Sequence, residues 1–229
     1  MATDAAAGRI IGVLLLVQMA GGLLVNFVLM APVVAAPGFL ENAAAHSLEI
    51  ALSVLAGLAT GAVSLGIAIT AFPVFRQHSY AMALWLVALA AASFALTAVE
   101  QMSAMSMLSL SEAYARASPA DAGLFQALRI TVASSRNWAH YIGLIVAGGM
   151  ILVFYAVLFR FALIPRALAA FGLVAVILQI TAVTMPLFGQ SIVFPMLLPL
   201  ALGHLMTAVW LIARGFRARA AAKGEQHDG

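Results

Sequence analysis

The sequence predicts an all-α protein, a polytopic transmembrane bundle of six spans with both termini cytoplasmic. Three observations carry that prediction. Sixty-five per cent of the 229 residues are hydrophobic and only 8% are charged, which is too little polar surface to cover a water-soluble globule. The charges fall in gaps between long apolar runs, and cutting the chain at those gaps leaves six stretches, each near the roughly 20 residues that a bilayer-spanning helix needs. The runs are continuous rather than alternating, which argues against a closed barrel and for helices, whose backbone polar groups are satisfied within each span.

The elements follow in order. Residues 1–8 read as a short N-terminal tail, and residues 9–215 as one six-helix domain with no room for a separate soluble domain. The first helix runs from about Arg9 to Met30 and is stopped by Pro32 and Pro37. It is expected to stay uncleaved: its basic region holds Arg9 alone, offset by Asp4, and its apolar run is too long for a leader. A polar segment leads into the second helix, about Glu49 to Phe75. Arg76-Gln77-His78-Ser79 then turns the chain into the third, about Tyr80 to Leu108. A longer connection, Ser109 to Asn137, follows. Within it Ser118-Pro119-Ala120-Asp121 supplies a capping serine, a first-turn proline and an early acid, so a short outer amphipathic helix is expected over about 119–134. That helix either lies on the bundle, runs into the fourth span or forms a lid. The fourth span covers about Trp138 to Phe161. The fifth follows the Ile164-Pro165-Arg166 turn and ends near Phe188. Gly189-Gln190-Ser191 makes a tight hairpin into the sixth, which ends near Arg214 and is bent by Pro195 and Pro199. Residues 216–229 are expected to be a disordered cytoplasmic tail.

Charge orients the bundle. With the N-terminus cytoplasmic, the inner segments hold Arg9, Arg76, Arg160, Arg166, Arg214, Arg217, Arg219 and Lys223, eight of the eleven Lys and Arg; Arg116, Arg129 and Arg136 fall outside. That bias is what the positive-inside rule asks for. The basic residues sit at loop ends and form no docking stripe, so nucleic acid is not an expected partner despite a pI near 9.8. The lipid bilayer is. The chain has no cysteine, which excludes disulfides, thiolate metal sites and cysteine nucleophiles. It also lacks a phosphate-binding glycine loop, a His-Glu-x-x-His zinc motif and a Gly-x-Ser-x-Gly elbow.

Ionisable groups inside a membrane are costly and are functional candidates by default. Glu100 leads. It lies about 30 Å along the third helix at 1.5 Å per residue, near the outer hydrocarbon boundary. Ser93, Thr97, Glu100 and Met107 share a helical face that should point into the bundle. The second helix carries Ser53, Gly57, Thr60 and Ser64, a small-residue face suited to close packing. At the depth of Glu100 the chain also offers Asn26, His46, Glu49, Gln101, Arg136 and His140, drawn from four helices. The ligand-binding candidates are Glu100, His140, Glu49, Asn26 and Arg136. Two carboxylates with one or two histidines can hold a divalent metal or shuttle a proton, with His140, His46 and Glu100 as the candidate metal ligands. The same groups can equally form an ion-pair network closing the outer end. Near the midplane, Gln179 and His204 should be neighbours across the fifth and sixth helices, as a hydrogen-bonded pair worth about 0.6–2 kcal/mol. An axial haem role for His204 is the alternative, with no second ligand identifiable. Met102, Met105 and Met107 do not share one helical face and read as adaptable packing. No cofactor is assignable.

Arg9-Ile10-Ile11-Gly12 with Gly21-Gly22, and more strongly Asn137-Trp138-Ala139-His140-Tyr141-Ile142-Gly143-Leu144 continuing to Leu163-Ile164-Pro165-Arg166-Ala167-Leu168, resemble the domain-of-unknown-function 4386 family of bacterial six-helix integral membrane proteins. The resemblance covers about residues 9–215. It implies the six-helix fold, the histidine ahead of an Ile-Gly-Leu step and the Pro-Arg turn before the fifth helix. The chain departs from it at Phe161-Ala162, where a small polar or glycine pair is more usual. The resemblance implies no activity.

Three functional readings stand at this point. The first is a non-enzymatic protein of the bacterial cytoplasmic membrane with an outward-facing polar pocket around Glu100 and His140 for a small ligand or ion. The second is a membrane enzyme or redox protein with a histidine-bound metal or haem. The third is a packing or assembly subunit, including a homo-oligomer, associating through small-residue faces.

Overall fold

Each long apolar run becomes a helix because a backbone in lipid finds no hydrogen-bond partners outside its own helix. The computed structural model describes residues 2–217, and no strand occurs among them. The long helices are α1 (Ala2–Leu23), α2 (Ser47–Phe75), α3 (Tyr80–Ala115), α4 (Ala122–Arg160), α5 (Arg166–Thr184) and α6 (Leu198–Arg214). With the helical turns that extend them, all six segments are long and apolar enough to cross a membrane. The protein is a multi-pass membrane protein.

The helices pack in chain order, each on the next, and α1 closes the ring against α6. Gly12 makes that closure possible, since a methyl there would fall 2.8 Å from the Ala208 carbonyl oxygen. Gly8 lies against the Gly215–Phe216 backbone, so both described ends of the chain meet at one end of the bundle, here the terminal end. Its core fills that half. Ile11, Leu86, Tyr155, Leu158, Ile164 and Leu211 are buried together there. A smaller cluster of Met30, Val33, Phe39, Ile50, Met107 and Leu108 caps the distal end.

Several boundaries differ from the sequence reading. α1 begins at Ala2 rather than Arg9, because alanine-rich sequence favours helix and Ala7 packs on the core. Past Leu23 the helix widens into a π turn, Leu24–Leu29, before the chain bends through Ala31–Val34 and Phe39–Asn42. The Ser109–Asn137 connection is mostly helix: α3 continues to Ala115, and α4 starts at Ala122 after a single 3-10 turn, Pro119–Asp121. The segment 119–134 is therefore the first turns of α4 and not a separate surface-lying helix. Tertiary contacts explain the extension. Ser111 is fully buried and accepts the Ala44 N–H at 2.8 Å, while the Tyr114 and Phe125 rings pack 5.6 Å apart across the two helices. Ser118 caps the turn as its sequence suggests, accepting the Ala120 N–H at 3.4 Å.

The α5–α6 connection is longer than a tight hairpin, with 3-10 turns at Met185–Phe188 and Phe194–Met196. Pro195 sits in the second turn and Pro199 in the first turn of α6, where no intrahelical N–H is missed and the helix interior is left uninterrupted. Of the tail expected over 216–229, Phe216 is buried and the Arg217 guanidinium lies 5.5 Å from the Trp210 ring centre. Residues 218–229 lie outside the described residues.

Candidate functional site

Small and short polar residues on the inner faces of α1 to α4 leave a cavity of about 180 Å³ in the distal half of the bundle. α2 contributes Gly57, Thr60, Gly61 and Ser64, the face whose spacing predicted close packing. α3 contributes Ser93, Thr97 and Glu100, one turn apart along one stripe. α4 adds His140, Gly143 and Ala147, while α1 adds Gln18 and Asn26. Asn26 lies in the π turn, a feature frequent at functional sites. Its Nδ2 donates to the Gly22 carbonyl at 2.9 Å.

Glu100 anchors the cavity. Its Oε1 accepts from Arg136 Nη2 at 3.2 Å and lies 3.0 Å from His140 Nδ1. Arg136 and His140 are four residues apart and so present from consecutive turns of α4. The carboxylate is 17% exposed and the guanidinium 18%, so the pair attracts through a medium well below the dielectric of water. A carboxylate oxygen only accepts, which places the His140 proton on Nδ1 and leaves Nε2 as the ring's second polar atom. Thr60 and Thr97 turn their hydroxyls back onto backbone carbonyls at 2.7 and 3.1 Å, and Ser64 donates to Met150 Sδ at 3.6 Å.

Of the residues singled out by depth, the structure brings Glu100, Arg136 and His140 into contact and Asn26 into the same cavity wall. Glu49 is elsewhere. It pairs with His46 at 3.3 Å, one turn apart, with both side chains more than a third exposed. This local pair takes His46 away from His140 and Glu100, and no three His, Asp or Glu side chains converge as a metal site among the described residues. Gln101 is buried over Gly57 on another face. The expected Gln179–His204 pair is not formed. Gln179 Nε2 donates to the Leu144 carbonyl at 3.4 Å, and its Oε1 is buried without a partner. His204 stacks flat on Tyr155, with ring centres 5.9 Å apart and planes 12° apart. The reason is depth: Gln179 lies beside Leu144 and Gly148 of α4, whereas His204 lies beside Tyr155, two to three turns farther along that helix, whose hydroxyl bonds Thr207 Oγ1 at 3.2 Å. His204 does border a void of about 10 Å³ that also touches Gln18.

By depth the sequence groups Gln18 with the midplane set of Gln179 and His204, but it does not single out Gly143 or Arg129 as site residues. Arg129 lies seven residues before Arg136, the spacing of one helical face. It lines a second, wider groove at the distal end together with Gly38, Phe39, Met107 and Arg136.

Residues 10–215 match the model of the family described as domain of unknown function (DUF4386). The chain belongs to that family. Comparison with curated proteins and with solved structures finds no match. The family match spans all six helices, and the segment 137–144 on which the resemblance rests contributes His140, Gly143 and Leu144 to the cavity wall.

Proposed function

We propose that this DUF4386 chain is a non-enzymatic protein of the bacterial cytoplasmic membrane, with both termini cytoplasmic, that binds a small neutral molecule in its outward-facing cavity. The observation that carries the reading is Glu100. Both of its protein partners engage Oε1, so Oε2 is left to accept an N–H or O–H from a ligand. Arg136 balances the carboxylate charge, which favours a neutral donor over a metal cation. A cavity of about 150 Å³ holds benzene, and the Glu100 cavity is comparable at about 180 Å³. A ligand of about six to eight heavy atoms matches that space.

The test is a thermal-unfolding series on detergent-purified protein with the neutral donors butyramide, phenol and glycerol as probes. At least one probe raises the midpoint of the native protein, and Glu100→Gln abolishes the rise. Gly143→Val abolishes it too, by filling the cavity; its Cβ meets nothing nearer than Leu96 Cβ at 3.7 Å. A midpoint that no probe moves, or a rise that survives Glu100→Gln, rejects the reading. An absorbance spectrum with elemental analysis of the same sample separates the alternatives. Stoichiometric metal or haem moves the redox reading forward, and a stoichiometric copurifying subunit favours the assembly reading.

A further inference from the structure

Most of the protons in the wall of the Glu100 cavity are already spent. Thr60 and Thr97 donate their hydroxyl hydrogens to the Ala56 and Ser93 carbonyls at 2.7 and 3.1 Å. Threonine inside a helix commonly turns to the carbonyl four residues back in this way. Ser64 donates to Met150 Sδ at 3.6 Å. A hydroxyl carries one hydrogen, so none of the three can donate to a ligand, while each oxygen can still accept.

The distal end of the cavity repeats the pattern. Glu100 Oε2 accepts only, and His140 commits its Nδ1 proton to Oε1 at 3.0 Å, so the neutral ring accepts at Nε2. Asn26, in the π turn, spends one N–H on the Gly22 carbonyl at 2.9 Å and keeps the other. The remaining donors of the wall, the Ser93 hydroxyl and the Gln18 amide, belong to its deep end. Ser93 stands seven residues before Glu100 on α3, about 10 Å along the helix axis. Around the carboxylate, then, the wall offers a ligand several acceptors and a single N–H.

Charge narrows the choice. Arg136 pairs with Glu100 at 3.2 Å, yet it lines the neighbouring groove and not this cavity. It offsets the carboxylate without offering the ligand a donor. A cation would enter the site with its charge uncompensated, which is costly away from water. A ligand acceptor set against Oε2 or Nε2 would leave lone pairs facing each other, with neither group matched.

We infer that the cavity selects a neutral head with two or more N–H donors and one acceptor, the pattern of a ureido or primary carboxamide group, on a short aliphatic remainder. The inference rests on the cavity reading above and names the ligand class for that same site. The donors go to Glu100 Oε2 and His140 Nε2, the carbonyl oxygen takes the free Asn26 N–H, and Val25, Gly143 and Ala147 border the aliphatic part. An alcohol or phenol fills one of the two acceptors and leaves the other bare.

The experiment is a ligand-observed NMR titration of the full chain in neutral detergent, with four probes of equal heavy-atom count. N-propylurea carries three N–H, N-propylacetamide one and N,N-dimethylpropanamide none, each with one carbonyl. N-propylguanidinium keeps the shape of N-propylurea and adds a positive charge. N-propylurea is expected to bind about fivefold tighter than N-propylacetamide, the worth of one neutral hydrogen bond. N,N-dimethylpropanamide should fall a further tenfold or so, as the bond to the carboxylate is lost, and N-propylguanidinium should bind more weakly than N-propylurea. This ranking on the native protein needs no variant; His140→Phe should then erase the advantage of N-propylurea over N-propylacetamide. If those two bind equally and both are lost in Glu100→Gln, the cavity reading stands and this inference falls. Tighter binding of N-propylguanidinium, equal binding of N,N-dimethylpropanamide, or an N-propylurea advantage that survives His140→Phe overturns it. Binding by none of the four overturns it as well.

Discussion

At the residue scale the chain concentrates its consequences in Glu100. Arg136 and His140 both lean on one carboxylate oxygen, so removing that carboxylate leaves a largely buried guanidinium without its counter-charge. Glu100→Ala is expected to destabilise the protein by about 1–3 kcal/mol, read by SDS titration of the protein in mixed micelles. A double-mutant cycle with Arg136→Gln should return a coupling of about 0.5–3 kcal/mol; a value indistinguishable from zero means the contact is incidental. Ala162 is the second residue with a clear prediction. It holds φ of +51°, a left-handed conformation that costs a side-chain-bearing residue about 1–2 kcal/mol. It also stands where the resemblance to the family led one to expect glycine or a small polar residue. Ala162→Gly should raise the unfolding midpoint, with a gain of about 1 kcal/mol or less after glycine's own entropic cost, and a lowered midpoint would show that the methyl group packs favourably.

At the element scale the α3–α4 hairpin and the α4–α5 contact matter most. α4 runs 39 residues from Ala122 to Arg160, about 58 Å, far beyond the hydrocarbon core. Its distal turns thus carry Arg136 and Arg129 past the hydrocarbon core, while its middle turns bring His140 to Glu100. On the other side of α4, Tyr155 packs directly onto Gly172 of α5, where an added methyl would coincide with the ring. Tyr155 is fully buried and tied to Thr207, so it has no room to move aside. Gly172→Ala should therefore destabilise by about 1–3 kcal/mol, the usual penalty for overpacking, whereas Gly22→Ala, with open space around it, should be close to neutral. Comparing the two unfolding midpoints isolates packing from helix propensity.

At the scale of the whole molecule, six helices in a closed ring divide into a dry terminal half and a polar distal half. The proposed orientation sends the polar half outward. The absence of cysteine permits a clean topology experiment. Ser118→Cys at the exposed tip between α3 and α4 should react with a membrane-impermeant maleimide on intact cells, and Gln77→Cys between α2 and α3 should react after lysis alone. The reverse pattern would invert the proposed topology and turn both the cavity and the arginine groove to the cytoplasm.

The sequence by itself determined that the chain is helical, that it crosses the membrane six times, and that it belongs with the DUF4386 chains. Helicity and the six spans follow from local composition and periodicity, which every apolar run carries within itself, while the family was legible only in motifs such as residues 137–144 and 163–168. It also nominated Glu100, Arg136 and His140, since ionisable residues at one depth stand out against an apolar background. Lateral placement was beyond it. Glu49 and His46 have the same depth as Glu100 yet pair with each other, because a partner one turn away is already in reach. Gln179 lies beside Leu144 and Gly148 of α4 while His204 stacks on Tyr155, two to three turns farther along that helix, so the pair expected from span counting lies at two depths. The long polar connection became helix for a tertiary reason: Ser111 finds a buried backbone partner and Tyr114 an aromatic one only after α3 and α4 have packed. Depth is written along one chain, but which neighbours fill the space around a side chain is decided by all six helices together.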